Sequence, residues 1–281
     1  GDEMIVFDPV DYLFRESCLA AGGKVVLFPA KLKDGYIDLS ELENYITPKT
    51  RMIGLCNPHN PYGVVYRPED LEHIMSLCEK YNLYIMNDEI WSDIILDGHK
   101  HIPTQSVSED AKNRTIAVYA PSKTFNLAGL IGSYHIIYNK YLRDRVKKQS
   151  ELSHYNSMNV LSMYALIGAY KPEGYEWTDE LRTVITKNVN YAYDFITRNF
   201  KGVKLAKPEG TYMLYLDCGE WCREHGMTMD ELIKAGIAVG VVWQDGRPFN
   251  NPSAIRMNLA VPYSLVVEAF DRLDKHVFNK M

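Results

Sequence analysis

Short apolar segments alternate with amphipathic segments from the first residues of the chain. The segment 68–81 begins with Pro68 and Glu69, which are typical of a first helical turn, and it predicts a helix. Alternation of this kind predicts a mostly parallel sheet covered by helices. Six apolar segments have the length and composition of buried strands: MIVF (4–7), KVVLF (24–28), RMIGLC (51–56), LYIMND (83–88), TIAVYA (115–120) and SYHIIY (133–138).

The pattern changes in the second half of the chain, where it becomes mainly helical from about residue 140. A long helix is predicted at about 177–199, and a closing helix at about 264–279. Between them, YMLYLD (212–217) and IRMNLA (255–260) predict short strands. We therefore expect two domains: a large domain over residues 1–175 and a smaller α/β domain over residues 176–281.

The start of the chain is unusual for such a domain. GDEMIVFDP (1–9) opens directly on a strand pattern, without a capping or leader segment. We therefore expect part of the large domain to precede residue 1.

Composition narrows the classes of function. With 46% hydrophobic and 24% charged residues, the 281-residue chain has the composition of a soluble globular protein. A net charge of −5 provides no basic excess for nucleic acid, and no apolar run approaches the ~18 residues of a membrane span. The five scattered cysteines indicate reduced thiols in a cytoplasmic protein. We expect no metal site, and we expect His99 and His101 of the GHKH segment to be solvated.

Four polar segments contain most of the candidate chemistry: NPHNPYG (57–63), NDEIW (87–91), APSKTFNLAG (120–129) and IRMNLA (255–260). The first three follow predicted strands, and a parallel sheet would gather them at the edge where its ligands bind. Taken singly, each segment has an ordinary structural explanation, because Pro and Asn favour turns and a lone Lys is usually solvated. Their combination is more specific than any one of them.

In order and spacing, these segments resemble the fold-type I pyridoxal-5′-phosphate enzymes, the class I and II aminotransferase superfamily. The resemblance covers essentially the whole chain. It implies the aspartate aminotransferase fold, an α/β fold with a mostly parallel sheet in the large domain and a smaller C-terminal α/β domain. It also implies that pyridoxal 5′-phosphate is the cofactor, that Lys123 binds it covalently and acts as catalytic base, and that Asp88 pairs with its pyridine nitrogen.

The resemblance implies roles for four further residues. Asn60 would hydrogen-bond the 3′ oxygen of the cofactor, and Ser122 would bind its phosphate. Trp91 stands where Tyr or His is common, and its indole N–H could donate to the same 3′ oxygen. Arg256 would bind the α-carboxylate of an amino-acid substrate with its planar fork. The alternative for Arg256 is a surface arginine on an edge strand.

Within the superfamily, the segments are most similar to the cystathionine β-lyase-like branch (MalY/PatB type). The similar segments are APSKTFNLAG (120–129), PEGTYMLYLD (208–217), VVWQDGRPF (241–249) and IRMNLAVP (255–262). Many aminotransferases of the superfamily have a phosphate-binding arginine eight residues after the lysine. This chain has Ile131 at that position, and the lyase branch also lacks the arginine. The resemblance thus implies β-elimination from a sulfur-bearing amino acid, such as cystathionine or cysteine, by a homodimer.

Two alternatives stay open. Transamination shares the chemistry of β-elimination up to loss of the Cα proton, and the sequence does not decide between them. A non-catalytic relative that keeps the fold is the third hypothesis. It is motivated by Asp11 in DPVDY (8–12), which stands where the family has an aromatic residue that stacks on the cofactor, with Tyr12 one position later. The segment expected upstream would also normally contribute phosphate contacts and residues that reach the partner subunit.

Overall fold

A computed structural model of the protein describes residues 1–154 and 157–279. Its strands are β1 (Glu3–Asp8), β2 (Lys24–Pro29), β3 (Leu32–Lys33), β4 (Tyr36–Ile37), β5 (Thr50–Cys56), β6 (Tyr84–Asp88), β7 (Thr115–Tyr119), β8 (Tyr134–Ile136), β9 (Met213–Asp217), β10 (Gln244–Asp245) and β11 (Ala254–Asn258). Its α-helices are α1 (Leu13–Ala20), α2 (Pro68–Tyr81), α3 (Glu109–Arg114), α4 (Pro121–Thr124), α5 (Lys140–Ser153), α6 (Val160–Ala169), α7 (Pro172–Asn199), α8 (Gly219–Glu224), α9 (Met229–Ala238) and α10 (Tyr263–Leu273).

The larger sheet has six strands in the order β2-β1-β5-β6-β7-β8. All neighbouring strands are parallel except β7 and β8, which are antiparallel. All six predicted strands are present, which confirms a mostly parallel α/β sheet. The prediction that 133–138 is a buried strand is wrong, because β8 has only three residues and two of them are exposed. It lies at the edge of this sheet and pairs with one neighbour only.

Helix α2 shows how local sequence sets an element that covers this sheet. Pro68 fixes the first turn, and the carboxylate of Asp70 accepts a hydrogen bond from the backbone N–H of Arg67 (3.2 Å). Apolar residues such as Leu71 and Ile74 then recur at helical spacing and pack into the core of the large sheet. The helix ends where Asn82 adopts a left-handed conformation (φ 51°).

The second half of the chain is built around the long helix α7 and a three-stranded antiparallel sheet in the order β10-β11-β9. Helix α7 begins at Pro172, earlier than expected, because proline at the first helical position sets its start. Its apolar face packs on β9, β11 and α10, and Trp91 and Ile94 from the segment after β6 join the same core. That segment therefore links the two sheets. The predicted domain boundary between residues 175 and 176 lies inside α7 and stays a prediction.

None of the helices within residues 1–154 and 157–279 is long and apolar enough to cross a membrane.

Candidate active site

The carboxyl ends of β5, β6 and β7 lie side by side, as the sequence predicts. Cys56, Asp88 and Val118 are neighbours in strand register. Beyond them, the N–H of Asn57 donates to the carbonyl of Asp88 (2.9 Å), and the N–H of Glu89 donates to the carbonyl of Val118 (2.9 Å). The segments that contain Asn60, Asp88 and Lys123 therefore leave the sheet from one edge, where ligands of parallel sheets bind.

Asp88 is a desolvated carboxylate at this edge of the sheet, and it accepts few hydrogen bonds. Within the described residues, its side chain accepts one hydrogen bond, from the backbone N–H of Ile90 (3.0 Å). Desolvation raises the pKa of Asp88 to about 7, and the negative charge of Asp11 adds to the shift, whereas the Ile90 N–H and the charge of Lys123 lower it. The carboxylate thus has acceptor capacity for a cationic N–H partner.

Lys123 lies over an aromatic ring near the carboxyl ends of these strands. It is the third residue of α4, and its Nζ is 5.4 Å from the centroid of the Trp91 ring, within range of a cation–π contact. Trp91 is buried and packs edge-on against Tyr212, with ring centroids 4.7 Å apart. The hydroxyl of Thr124 donates to Asp93 (2.9 Å), which ties α4 to the segment after β6. Packing from both halves of the chain therefore positions the lysine.

Arg256 lies on β11 and reaches across to the larger sheet. Its Nη1 donates to Oδ1 of the buried Asn60 (2.6 Å), and its Nε donates to Oε1 of Gln244 (2.8 Å). The guanidinium also stacks over Phe249, at 4.5 Å from the ring centroid. Burial lowers the pKa of Arg256, and the charge of Asp11 opposes that shift. Since β11 is the central strand of its sheet, Arg256 is not a surface arginine on an edge strand.

The remaining predicted residues have less defined surroundings. Asp11 is partly buried, and its negative charge raises the pKa of both Asp88 and Arg256. Tyr12 is exposed and Ile131 is 82% exposed. Ser122 is partly buried beside Lys123, and within the described residues its hydroxyl has no hydrogen bond to the other site residues. The structure thus gathers Asn60, Asp88, Trp91, Lys123 and Arg256, with Ser122 adjacent in α4.

Sequence reasoning missed a buried polar network behind this site. Glu89 is fully buried and accepts hydrogen bonds from the N–H of Thr104 (2.9 Å), the amide of Asn87 and the hydroxyl of Tyr119. The Nε2 atom of His101 lies 3.1 Å from its carboxylate. The expectation that both GHKH histidines are solvated is therefore wrong for His101. Nothing in the sequence links GHKH to NDEIW, because the contacts depend on the path of the loop after β6.

The side chains around Lys123 fit pyridoxal 5′-phosphate. A primary amine is available for covalent attachment, and no carboxylate within the described residues forms a salt bridge with it. Asp88 has free acceptor capacity where a protonated pyridine nitrogen would need a carboxylate. Arg256 provides a planar donor for an amino-acid carboxylate.

Comparison with known proteins identifies the family to which the chain belongs. The family model "Aminotransferase class I and II" matches residues 1–273. Cystathionine β-lyase PatB of Bacillus subtilis (strain 168) is 34% identical over 239 residues, which cover 84% of this chain. An aspartate aminotransferase of Bacillus sp. (strain YM-2) is 30% identical, over 99% of this chain and 70% of its own length. The crystal structure of cystalysin from Treponema denticola, which contains a pyridoxal 5′-phosphate cofactor, has a TM-score of 0.89 at 32% identity, over 99% of this chain and 71% of that one.

The chain matches only part of the length of each of these relatives. The match to PatB covers 62% of the length of PatB. The comparisons nevertheless confirm the family resemblance and the aminotransferase fold. The individual roles of the site residues stay predictions.

Proposed function

Because this chain belongs to the class I and II aminotransferase family, we propose that it is a pyridoxal-phosphate-dependent carbon–sulfur β-lyase. Its substrate would be a sulfur-bearing amino acid such as cystathionine or cysteine, and its products would be pyruvate, ammonia and a thiol. One observation carries the enzymatic proposal: Lys123, Asp88 and Arg256, distant in sequence, surround one site between the two sheets. The similarity to cystathionine β-lyase PatB favours the lyase.

The proposed chemistry assigns one task to each residue. When bound, pyridoxal phosphate supplies an electron-withdrawing ring that stabilises negative charge at the substrate Cα. Asp88 holds the proton on the ring nitrogen, and Asn60 donates from its amide to the 3′ oxygen. Ser122 binds the phosphate. Trp91 packs against the lysine that carries the cofactor, and Arg256 binds the α-carboxylate so that the Cα–H bond is oriented for cleavage.

Lys123 would act as the general base. Once the substrate amine has displaced Lys123 from its bond to the cofactor, the free Nζ takes the Cα proton. The electrons of the C–H bond then form a Cα–Cβ double bond, and the Cβ–S bond breaks to release a thiolate. Water then completes the conversion of the released fragment to pyruvate and ammonia. Because Asp88 accepts only one hydrogen bond within the described residues, the protonated ring nitrogen is the donor that would satisfy its remaining acceptor capacity.

Aminotransferase activity is the second candidate, and the aspartate aminotransferase of Bacillus sp. favours it. The two reactions differ in where the proton goes after it leaves Cα. A β-lyase forms pyruvate and a thiol from L-cystathionine without a second substrate, whereas an aminotransferase needs a 2-oxo acid. A non-catalytic relative, suggested by Asp11, would form neither product.

The central test is covalent labelling of the lysine. Borohydride reduction of the protein loaded with pyridoxal phosphate should fix a pyridoxyl group on Lys123, detected by peptide mass spectrometry. Lys123→Ala should abolish both the label and pyruvate formation, because no other side chain serves as both attachment point and base. Lys148→Ala, a change on the exposed face of α5, is the matched control and should retain both. A label on another lysine would show that the site is assigned wrongly.

We also propose that the protein acts as a cytoplasmic homodimer with α6 at the contact between copies. Helix α6 is almost entirely apolar, yet Ser162 is its only buried residue. Such an apolar surface is costly in water unless a partner covers it. Sedimentation should therefore give a dimer, and Leu161→Glu should shift it towards monomer. A monomeric wild-type protein would contradict this proposal. The exposed apolar side chains of α6 are Val160, Leu161, Met163, Tyr164 and Ile167.

A further inference from the structure

Gln244 lies directly beside the predicted carboxylate-binding arginine. Strand β10 contains only Gln244 and Asp245, and it pairs antiparallel with β11 so that Gln244 stands opposite Arg256. Opposed residues of antiparallel strands project from the same face of the sheet. The amide oxygen of Gln244 accepts hydrogen bonds from both Nε (2.8 Å) and Nη2 of Arg256. The edge of the guanidinium formed by Nε and Nη2 is therefore covered by a neutral amide.

The donors that remain on Arg256 form a suitable pair. A guanidinium has five N–H groups: one on Nε and two on each terminal nitrogen. Gln244 takes the Nε–H and one N–H of Nη2, and Asn60 takes one N–H of Nη1. One N–H is left on each terminal nitrogen, which is what a two-bond contact with a carboxylate requires. The ring of Phe249 covers one face of the guanidinium and limits its rotation.

We propose that Gln244 is a positioning residue that directs the substrate carboxylate to the outer edge of Arg256, between Nη1 and Nη2. The inference rests on the proposed function, because it requires a substrate with an α-carboxylate. A neutral amide suits the task, since it covers the Nε edge without neutralising the charge that attracts the substrate. A carboxylate at this position would form a two-bond ion pair with Arg256 and compete with the substrate.

Two substitutions separate these effects. Gln244→Glu should raise the KM for L-cystathionine at least about tenfold, because Arg256 would already be paired, while kcat changes much less. Gln244→Ala uncovers the Nε edge and should raise KM by only about two- to fivefold, the effect of a lost neutral hydrogen bond. Gln149→Glu, the same chemical change at an exposed position of α5, is the matched control and should leave KM and kcat unchanged. A normal KM for Gln244→Glu would overturn the proposal.

A second readout does not depend on turnover. In the cofactor-free protein, phenylglyoxal modifies accessible arginines, and mass spectrometry can follow the rate at Arg256. The rate should rise in Gln244→Ala, fall in Gln244→Glu and stay at the wild-type value in Gln149→Glu. Equal rates in all four proteins would show that Gln244 does not shield the guanidinium. A wild-type protein without turnover would sink the proposed function, whereas these rates judge the role of Gln244 alone.

Discussion

Asp88 and Glu89 are consecutive carboxylates at the end of β6, and their surroundings differ sharply. Successive residues of an extended chain face opposite sides, so Glu89 joins Asn87 in one buried network while Asp88 points away from it, and the charge of Lys123 lowers the pKa of Asp88. Glu89 is fully buried, accepts three hydrogen bonds and lies beside His101. Asp88, within the described residues, accepts one.

The difference separates a structural carboxylate from a functional one. A buried carboxylate with several donors is stabilised by the protein itself, and here it ties β6 to β7 and to the loop that contains His101. A desolvated carboxylate with one donor is costly to keep ionised, which is why the pKa of Asp88 rises to about 7. Such a group is retained where a ligand completes its surroundings. Three measurements test this contrast.

Substitution of Glu89 should change the stability of the fold more than any other change considered for this pair. Glu89→Ala should lower the free energy of unfolding by about 3–5 kcal/mol, because it leaves several donors buried without an acceptor. Glu89→Gln should cost less, since its amide oxygen still accepts hydrogen bonds. Chemical denaturation of the cofactor-free proteins measures both. If Glu89→Ala unfolds like the wild type, the network does not stabilise the fold.

The next effect is the pH dependence that Asp88 gives to the cofactor-free protein. Its folded-state pKa of about 7 lies above the ordinary value of 3.8, so the folded state holds the proton more tightly than the unfolded state. Ionisation of Asp88 therefore destabilises the folded state. This effect is absent below about pH 4, grows as the pH rises and is complete above about pH 7. It amounts to at most about 4 kcal/mol, at about 1.4 kcal/mol per pH unit. Asp88→Asn should remove this slope, so the variant should be more stable than the wild type at pH 8. Equal slopes for the two proteins would contradict the raised pKa.

The smallest effect in free energy is catalytic. Asp88→Asn should lower pyruvate formation roughly ten- to a hundredfold, because the amide cannot hold the proton on the ring nitrogen by charge. This corresponds to about 1.4–2.7 kcal/mol of activation free energy. Steady-state kinetics of the loaded protein measures it, and Glu89→Gln serves as the neighbouring control. The contrast fails if Asp88→Asn retains full activity while Glu89→Gln loses it.

Most of the fold could be predicted from local patterns. Apolar runs and helix-start residues are local signals, and they predict the six strands of the larger sheet, β9, β11 and α2. Strand β8 was predicted too long and too buried, since its edge position depends on which neighbours it has. Helix α7 was predicted to begin too late, although Pro172 was a visible start signal. Strand β10 was missed because two residues carry no periodicity.

For the site, the candidate residues and the order in which the strands present them can be read from local sequence. The order of the strands predicts that Lys123, Asp88 and Asn60 lie close together, because the carboxyl ends of parallel strands meet at one edge of the sheet. The surroundings of these residues depend on tertiary packing. It placed Trp91 under Lys123 and paired Gln244 with Arg256 across strands twelve residues apart. It also buried His101 beside Glu89. Such contacts depend on how distant segments pack and on how water is excluded between them, so no local pattern of residues encodes them.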